Sequence, residues 1–231
     1  GSDGGHDGHH SGGGSSGPSF RSFDGSKNND NHPEWGSAFT TQYRKAPDAY
    51  ADGKSVPAGG NRPSAREISN VLSAHPGTAT PSQRLTAMWY AWGQFIDHDI
   101  VLTHTDPDAG TMPIAVPQGD PHFDMDSTGQ VTIPFTRSEF EDGVTSPRDQ
   151  INSISSFVDA SMVYGSDEET AQSLRKSSGG LMKTSVSDLL PIDGDGFFQA
   201  GDVRANENPE LTALHTLFVR EHNKIVHRLA Q

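Results

Sequence analysis

The stretch from Thr80 to Asp99 constrains this chain more than any other. Thr80 suits a helix N-cap, Pro81 the first helical position and Gln83 the closing position of a capping box, followed by Leu85, Met88, Trp89, Trp92, Phe95 and Ile96. Apolar side chains around most of the circumference predict a buried helix, which needs packing layers on more than one side. Its end nevertheless carries Gln94, Asp97, His98 and Asp99. On a helix the first three stand at i, i+3 and i+4 and leave from one face. Burying such groups unpaired is costly. A structural polar network at the helix end would offset that cost, as would a pocket for a cofactor, metal or substrate. Three polar groups on one face with Asp99 beside them favour the pocket.

The rest of the chain predicts a mainly α, loop-rich molecule. It has 25 Gly and 15 Pro among 231 residues, and only 32% are apolar. Residues 1–19 contain Gly, Ser and His but no apolar anchor, which predicts a disordered leader; Gly1-Ser2 reads as an expression scar, and His6, His9 and His10 as adventitious metal binders. Over 20–62, aromatic residues (Phe20, Phe23, Trp35, Phe39, Tyr43, Tyr50) alternate with breakers, as in extended chain pinned to a larger body by single anchors. Ser64 with Glu67 forms a capping box ahead of Ile68, Val71 and Leu72 and predicts a helix to about His75. Four prolines predict a surface loop over 105–130. Ser166 with Glu169 starts a helix to about Lys176, and Asn208-Pro209 opens a last helix carrying Leu211, Leu214, Leu217, Phe218, Ile225 and Leu229. That helix reaches Gln231 without a stop signal, which suggests a processing point or an expression boundary rather than a domain edge.

Charge and composition remove several classes of function. With 17 Lys and Arg against 30 Asp and Glu, a net charge of −13 repels phosphate backbones and argues against nucleic acid. Divalent cations suit it better. No run approaches the roughly 20 apolar residues of a membrane span, and the start lacks the segments of a signal peptide. The absence of cysteine removes zinc ribbons, disulfide frameworks and thiol catalysis.

Two further clusters carry possible chemistry. Ser155, Phe157, Asp159 and Ser161 alternate along the chain and offer two hydroxyls, a carboxylate and a carbonyl, the hard oxygen donors that calcium prefers. A second carboxylate is needed, and Asp99 is the natural source. Spacing alone fits a plain half-buried strand better. Arg204 and Glu207, three apart before a helix start, suit a solvated turn and a polar site equally well. His215 and His222 fall short of a shared register, and His222 with Glu221 and Arg220 suits ties between helices better than metal binding.

Trp92 to Asp99, Ser156 to Gly165, Ala200 to Glu207 and His215 to Asn223 occur in the order and approximate spacing of the animal-type haem peroxidases, the peroxidase-cyclooxygenase superfamily. Over residues 20–231 the chain resembles the distal part of a bacterial, peroxidasin-like member. The resemblance implies haem b and calcium as cofactors. His98 would be the distal histidine that moves a proton on hydrogen peroxide, Arg204 its partner against negative charge, and Gln94 the pocket residue where water or halide sits. Asp97 and Glu207 would be the carboxylates able to form ester links to haem. Asp99, Ser155, Phe157 (through its carbonyl), Asp159 and Ser161 would be the calcium ligands.

Asn208 follows Glu207, so a methionine link to haem is not available at that position. No histidine here matches the iron-ligating proximal one, so the resemblance implies a second chain or a C-terminal segment that supplies it. The implied activity is reduction of hydrogen peroxide with oxidation of halide, pseudohalide or aromatic donors. Alternatives are a fatty-acid dioxygenase of the same superfamily and a non-catalytic calcium-binding adhesion or assembly module. A calcium site of this type fits a secreted, extracellular protein.

Overall fold

A computed structural model describes residues 20–75, 77–78, 83–141 and 147–231. The disordered leader predicted over 1–19, like the cap predicted at Thr80-Pro81, lies outside the described residues. Helices are the only extended regular elements among those described; the strands are two residues each. The mainly α, loop-rich expectation holds. No described helix is long and apolar enough to cross a membrane.

α1 (Ala65–Leu72) starts as its capping box predicts, with Ser64 Oγ accepting from the Glu67 amide at 3.1 Å. Its apolar stripe, however, does not bury: Ile68, Val71 and Leu72 are all exposed. A buried carboxylate holds the helix instead, because Asp120 accepts from Arg66 Nε at 2.6 Å, Arg66 Nη2 at 3.0 Å and Asn70 Nδ2 at 2.8 Å. Those bonds keep the Asp120 carboxyl well below the usual carboxylate range, with the Arg66 hydrogen bond the largest cause. The segment over 105–130 is correspondingly more organised than a surface loop. It contains a 3₁₀ turn (Pro107–Ala109) and the strand β2 (Ile114–Ala115), which pairs antiparallel with β3 (Thr132–Ile133). Asp124 is buried there by amides of Gly119, Thr128 and Gly129.

The anchors over 20–62 also differ from expectation. Phe20, Trp35, Phe39 and Tyr43 are exposed. Polar ties fix this segment: Arg21 to Asp159, Arg44 to Asp149, and β1 (Thr40–Thr41) paired antiparallel with β4 (Ile151–Asn152). Phe23 is held under the Arg175 guanidinium, 5.1 Å from its ring centroid.

α2 (Ala87–Asp97) begins after Thr86, later than the sequence pattern suggests. Only Ala91 and Phe95 are buried; Met88, Trp89, Tyr90 and Trp92 remain 43–71% exposed. A helix that is apolar all round needs cover on several sides, and the described residues cover one of them. The cover is α5 (Pro209–Leu229), capped as predicted by Asn208 Oδ1 on the Leu211 amide and entered through Pro209. Phe95 meets Phe218 at 5.1 Å and the edge of His215 at 4.9 Å. Around them Met162, Val163, Leu174, Met182, Leu190, Leu211, Leu214 and Val219 complete the core.

Residues 155–160 form no strand. The amides of Ser155, Phe157, Asp159 and Ala160 go to side chains rather than to a ladder, β pairing stops at Asn152, and the chain turns through Ala160 (φ 64°) into α3 (Ser161–Tyr164). α4 (Glu168–Ser173) is capped by Asp167 rather than Ser166, whose hydroxyl instead accepts from the Ser155 amide at 3.2 Å. Gly201 packs directly on α3. A Cβ there would overlap the Gly165 amide and lie 2.5 Å from the Ser161 carbonyl oxygen, both of them backbone atoms with little room to yield. We expect Gly201→Ala to cost about 3 kcal/mol in urea denaturation; a loss within experimental error would show that the contact is not tight.

Candidate active site

The polar end of α2 is shaped by where that helix stops. His98 is its C-cap, with its amide on the Gln94 and Ile96 carbonyls, so the next residue turns away from the helix axis. Neighbouring side chains therefore serve two different places. His98 faces the turn before α5, and Asp99 faces the loop over 155–161.

On the first side, His98 is buried, with 4% of its surface exposed, and its Nε2 lies 3.8 Å from Glu207 Oε2. Its Nδ1 has no hydrogen-bond partner among the described residues. Gln94 Nε2 donates to the same Glu207 oxygen at 2.7 Å. Arg204 lies in the 3₁₀ turn Val203–Asn206 and is gripped by buried Asp202 through Nε (2.9 Å) and Nη2 (2.7 Å). Its Nη2 reaches the His98 backbone oxygen at 3.4 Å rather than the imidazole. Asp97 is exposed, with no side-chain hydrogen bond among the described residues. A groove of about 720 Å³, bordered by Phe198, Glu207, Asn208 and Thr216, runs alongside.

These surroundings set the protonation of His98. Burial, and then the Arg204 guanidinium, hold it below the ordinary imidazole value, against the opposing pull of Asp202, Glu207 and Asp97. A neutral imidazole carries its proton on one ring nitrogen and leaves the other able to take one. The site fits a proton-transfer role.

On the second side, four of the five oxygen-donor residues converge. Asp99 Oδ2 accepts from the amides of Asp159 (2.9 Å) and Ala160 (3.0 Å), and its Oδ1 from Ser161 Oγ (3.0 Å). Ser155 Oγ lies 3.3 Å from Asp159 Oδ2, which also receives Arg21 Nη1 at 2.6 Å. Phe157 belongs to the same turn through its amide on Ser155 Oγ (3.2 Å), and its ring packs under Gly36. Burial, the largest influence, raises the Asp99 carboxyl above the usual range. No group of three His, Asp or Glu side chains suited to a metal occurs among the described residues. The donor set is two carboxylates and two hydroxyls, with a carbonyl available from Phe157.

The remaining candidates act structurally. His215 is fully buried, with Nδ1 on the Leu211 carbonyl at 2.8 Å. His222 bridges Tyr164 Oη (3.1 Å) and the Gly180 carbonyl (2.9 Å), and Arg220 holds the carbonyls of Ser187 and Asp188. Both act as ties, as their sequence setting suggests. Three residues of the site escape a reading from sequence: Asp202, Asn208 as a partner of Gln94, and Arg21 at Asp159. Only Asp202 left a signal, an acidic residue two before the arginine.

Comparison with known proteins bears on the same segments. A family model described as animal haem peroxidase matches residues 20–231. Peroxinectin A of Dictyostelium discoideum is 33% identical over 242 residues, covering 92% of this chain and 45% of that protein. Mouse (Mus musculus) myeloperoxidase is 34% identical over 265 residues, covering 91% of this chain and 36% of that protein. Among solved structures, peroxidase A from D. discoideum superposes with a TM-score of 0.79 at 32% identity, over 93% of this chain and 47% of that one. A fatty acid alpha-dioxygenase of Arabidopsis thaliana superposes at 0.71 over 91% of this chain and 31% of that one, but at 22% identity, a likeness of fold alone. The chain spans less than half the length of these relatives. With the family model matching nearly the whole chain and the relatives sharing a third of its residues, this chain belongs to the animal haem peroxidase family.

Proposed function

We propose that this chain forms the distal part of a haem-dependent peroxidase that reduces hydrogen peroxide and oxidises halide, pseudohalide or aromatic donors. The observation that carries this is the meeting of His98 and Gln94, from the end of α2, with Glu207, more than a hundred residues later, around a buried imidazole. Bound haem b would supply the redox centre that passes electrons from donor to peroxide. The proximal iron ligand would come from a C-terminal segment or a second chain.

The chain's own residues do the rest. His98, held neutral, takes the proton from one peroxide oxygen and returns it to the other as water leaves. Arg204, fixed by Asp202, offsets negative charge beside it. Gln94 presents an amide N–H to water or a small anion. Asp97 and Glu207, both exposed on this side, would be the carboxylates ester-linked to haem methyl groups, each link replacing a methyl C–H with peroxide as the two-electron oxidant. Asp99, Ser155, Phe157, Asp159 and Ser161 would hold calcium, which supplies the positive charge a buried Asp99 beside Asp159 calls for. A site of that kind is filled at extracellular calcium levels, which supports a secreted protein.

A fatty-acid dioxygenase has support from the fold alone, since the neighbours of that name are only 22% identical. The test is made on the full-length protein as isolated. We expect a Soret band and peroxide-dependent oxidation of bromide or guaiacol, with haem retained through acid-acetone extraction. Complete haem release would show that neither ester forms, and a protein without a Soret band would overturn the reading.

A further inference from the structure

Asn208 uses both ends of its carboxamide. Its Oδ1 accepts from the Leu211 amide at 2.8 Å and caps α5, while its Nδ2 donates to Gln94 Oε1 at 2.8 Å. The cap needs only an oxygen, which serine or aspartate would supply equally well. The bond to Gln94 is what asparagine adds.

The orientations along this chain are forced from both ends. The Leu211 amide can only donate, so Asn208 must present oxygen to it and nitrogen to Gln94. The Glu207 carboxylate, when ionised, can only accept, so Gln94 must present nitrogen to it, and does so at 2.7 Å. Turning over either amide breaks two hydrogen bonds. We propose that Asn208 is a positioning residue, which locks the Gln94 carboxamide with its N–H end on the Glu207–His98 side. The second Nε2 proton of Gln94 has no protein partner among the described residues and stays available to a small anion or water. The lock also ties α2 to the start of α5 across 114 positions of sequence. This inference rests on the peroxidase reading of the pocket and adds the residue that orients its amide.

The experiment uses the full-length, haem-loaded protein and cyanide as the anion probe, read from the shift of the Soret band. Asn208→Ser keeps a capping oxygen and the same charge but is too short to reach Gln94. We expect its Tm to fall by no more than about 3 °C, since serine caps as well as asparagine and only the bond to Gln94 is lost. Cyanide affinity should fall ~3- to 10-fold, the worth of one hydrogen bond. In a Gln94→Leu background the same substitution should change affinity less than about 1.5-fold, because nothing remains to position. Asn208→Asp also caps without donating and should reproduce the loss if the serine variant folds poorly. Unchanged affinity in Asn208→Ser, or an equal loss with and without Gln94, overturns the proposal. A parent protein whose Soret band ignores cyanide overturns the peroxidase reading itself, and this inference with it.

Discussion

Replacing His98 with alanine should slow peroxide consumption by the haem-loaded, full-length protein by about 10²-fold or more, the usual worth of a positioned general base. Among the described residues, no other neutral imidazole is placed to substitute. His215, also close to Phe95, is fully buried and committed to the Leu211 carbonyl. Glu207 is half exposed and already receives Gln94. The pH dependence follows from the same environment. His98 works as the neutral form, and burial and Arg204 keep its folded value below the ordinary ~6.5. Activity should therefore persist as pH falls through 6.5 and decline only below that, when the imidazole gains its proton. His98→Ala should abolish this acid limb together with the rate. Stopped-flow mixing across pH 4–8 reads both, and an unaltered rate in the variant would remove His98 from the mechanism.

The second large effect falls on stability. Asp99→Ala should destabilise the protein by about 3–5 kcal/mol, because the amides of Asp159 and Ala160 and the hydroxyl of Ser161 lose their shared acceptor inside the molecule. Activity should fall alongside, since Asp99, the neighbour of His98, ties the end of α2 to the loop that leads into α3. Chelation separates the part that calcium plays. EGTA should lower the Tm of the parent protein by several degrees and leave that of Asp99→Ala nearly unmoved, because the variant has already lost the ligand. A parent Tm indifferent to EGTA would leave Asp99 as a hydrogen-bond hub and nothing more.

What the sequence made legible, and what it hid, divides along physical lines. Local signals were readable: the caps at Ser64 and Asn208, the Pro209 start and the shared face of Gln94 and His98 depend on residues within one turn of each other. Burial was not readable from pattern alone. Leu72 and Trp89 have apolar neighbours at helical spacing, yet they remain exposed because burial needs a second surface, and the described residues present none to them. Conversely, Asp120 and Asp124 fall in the stretch its prolines mark as a surface loop, and they are buried, because backbone amides and Arg66 satisfy them. The 155–161 alternation suggested a strand because spacing cannot show that Asp99, 60 residues earlier, captures the Asp159 amide. The bond from Asn208 to Gln94 was hidden for the same reason. A cap is a local feature, whereas the partner of its other end is set by how α2 and α5 cross.

The central claim is that His98 and Gln94, brought together with Glu207 and Arg204, face one bound haem. A crystal structure of the full-length, haem-loaded protein tests this most directly. We expect the porphyrin face against His98 Nε2 and the Gln94 amide, with Glu207 at its edge. A haem bound elsewhere, with His98 sealed away from it behind protein, would contradict the claim.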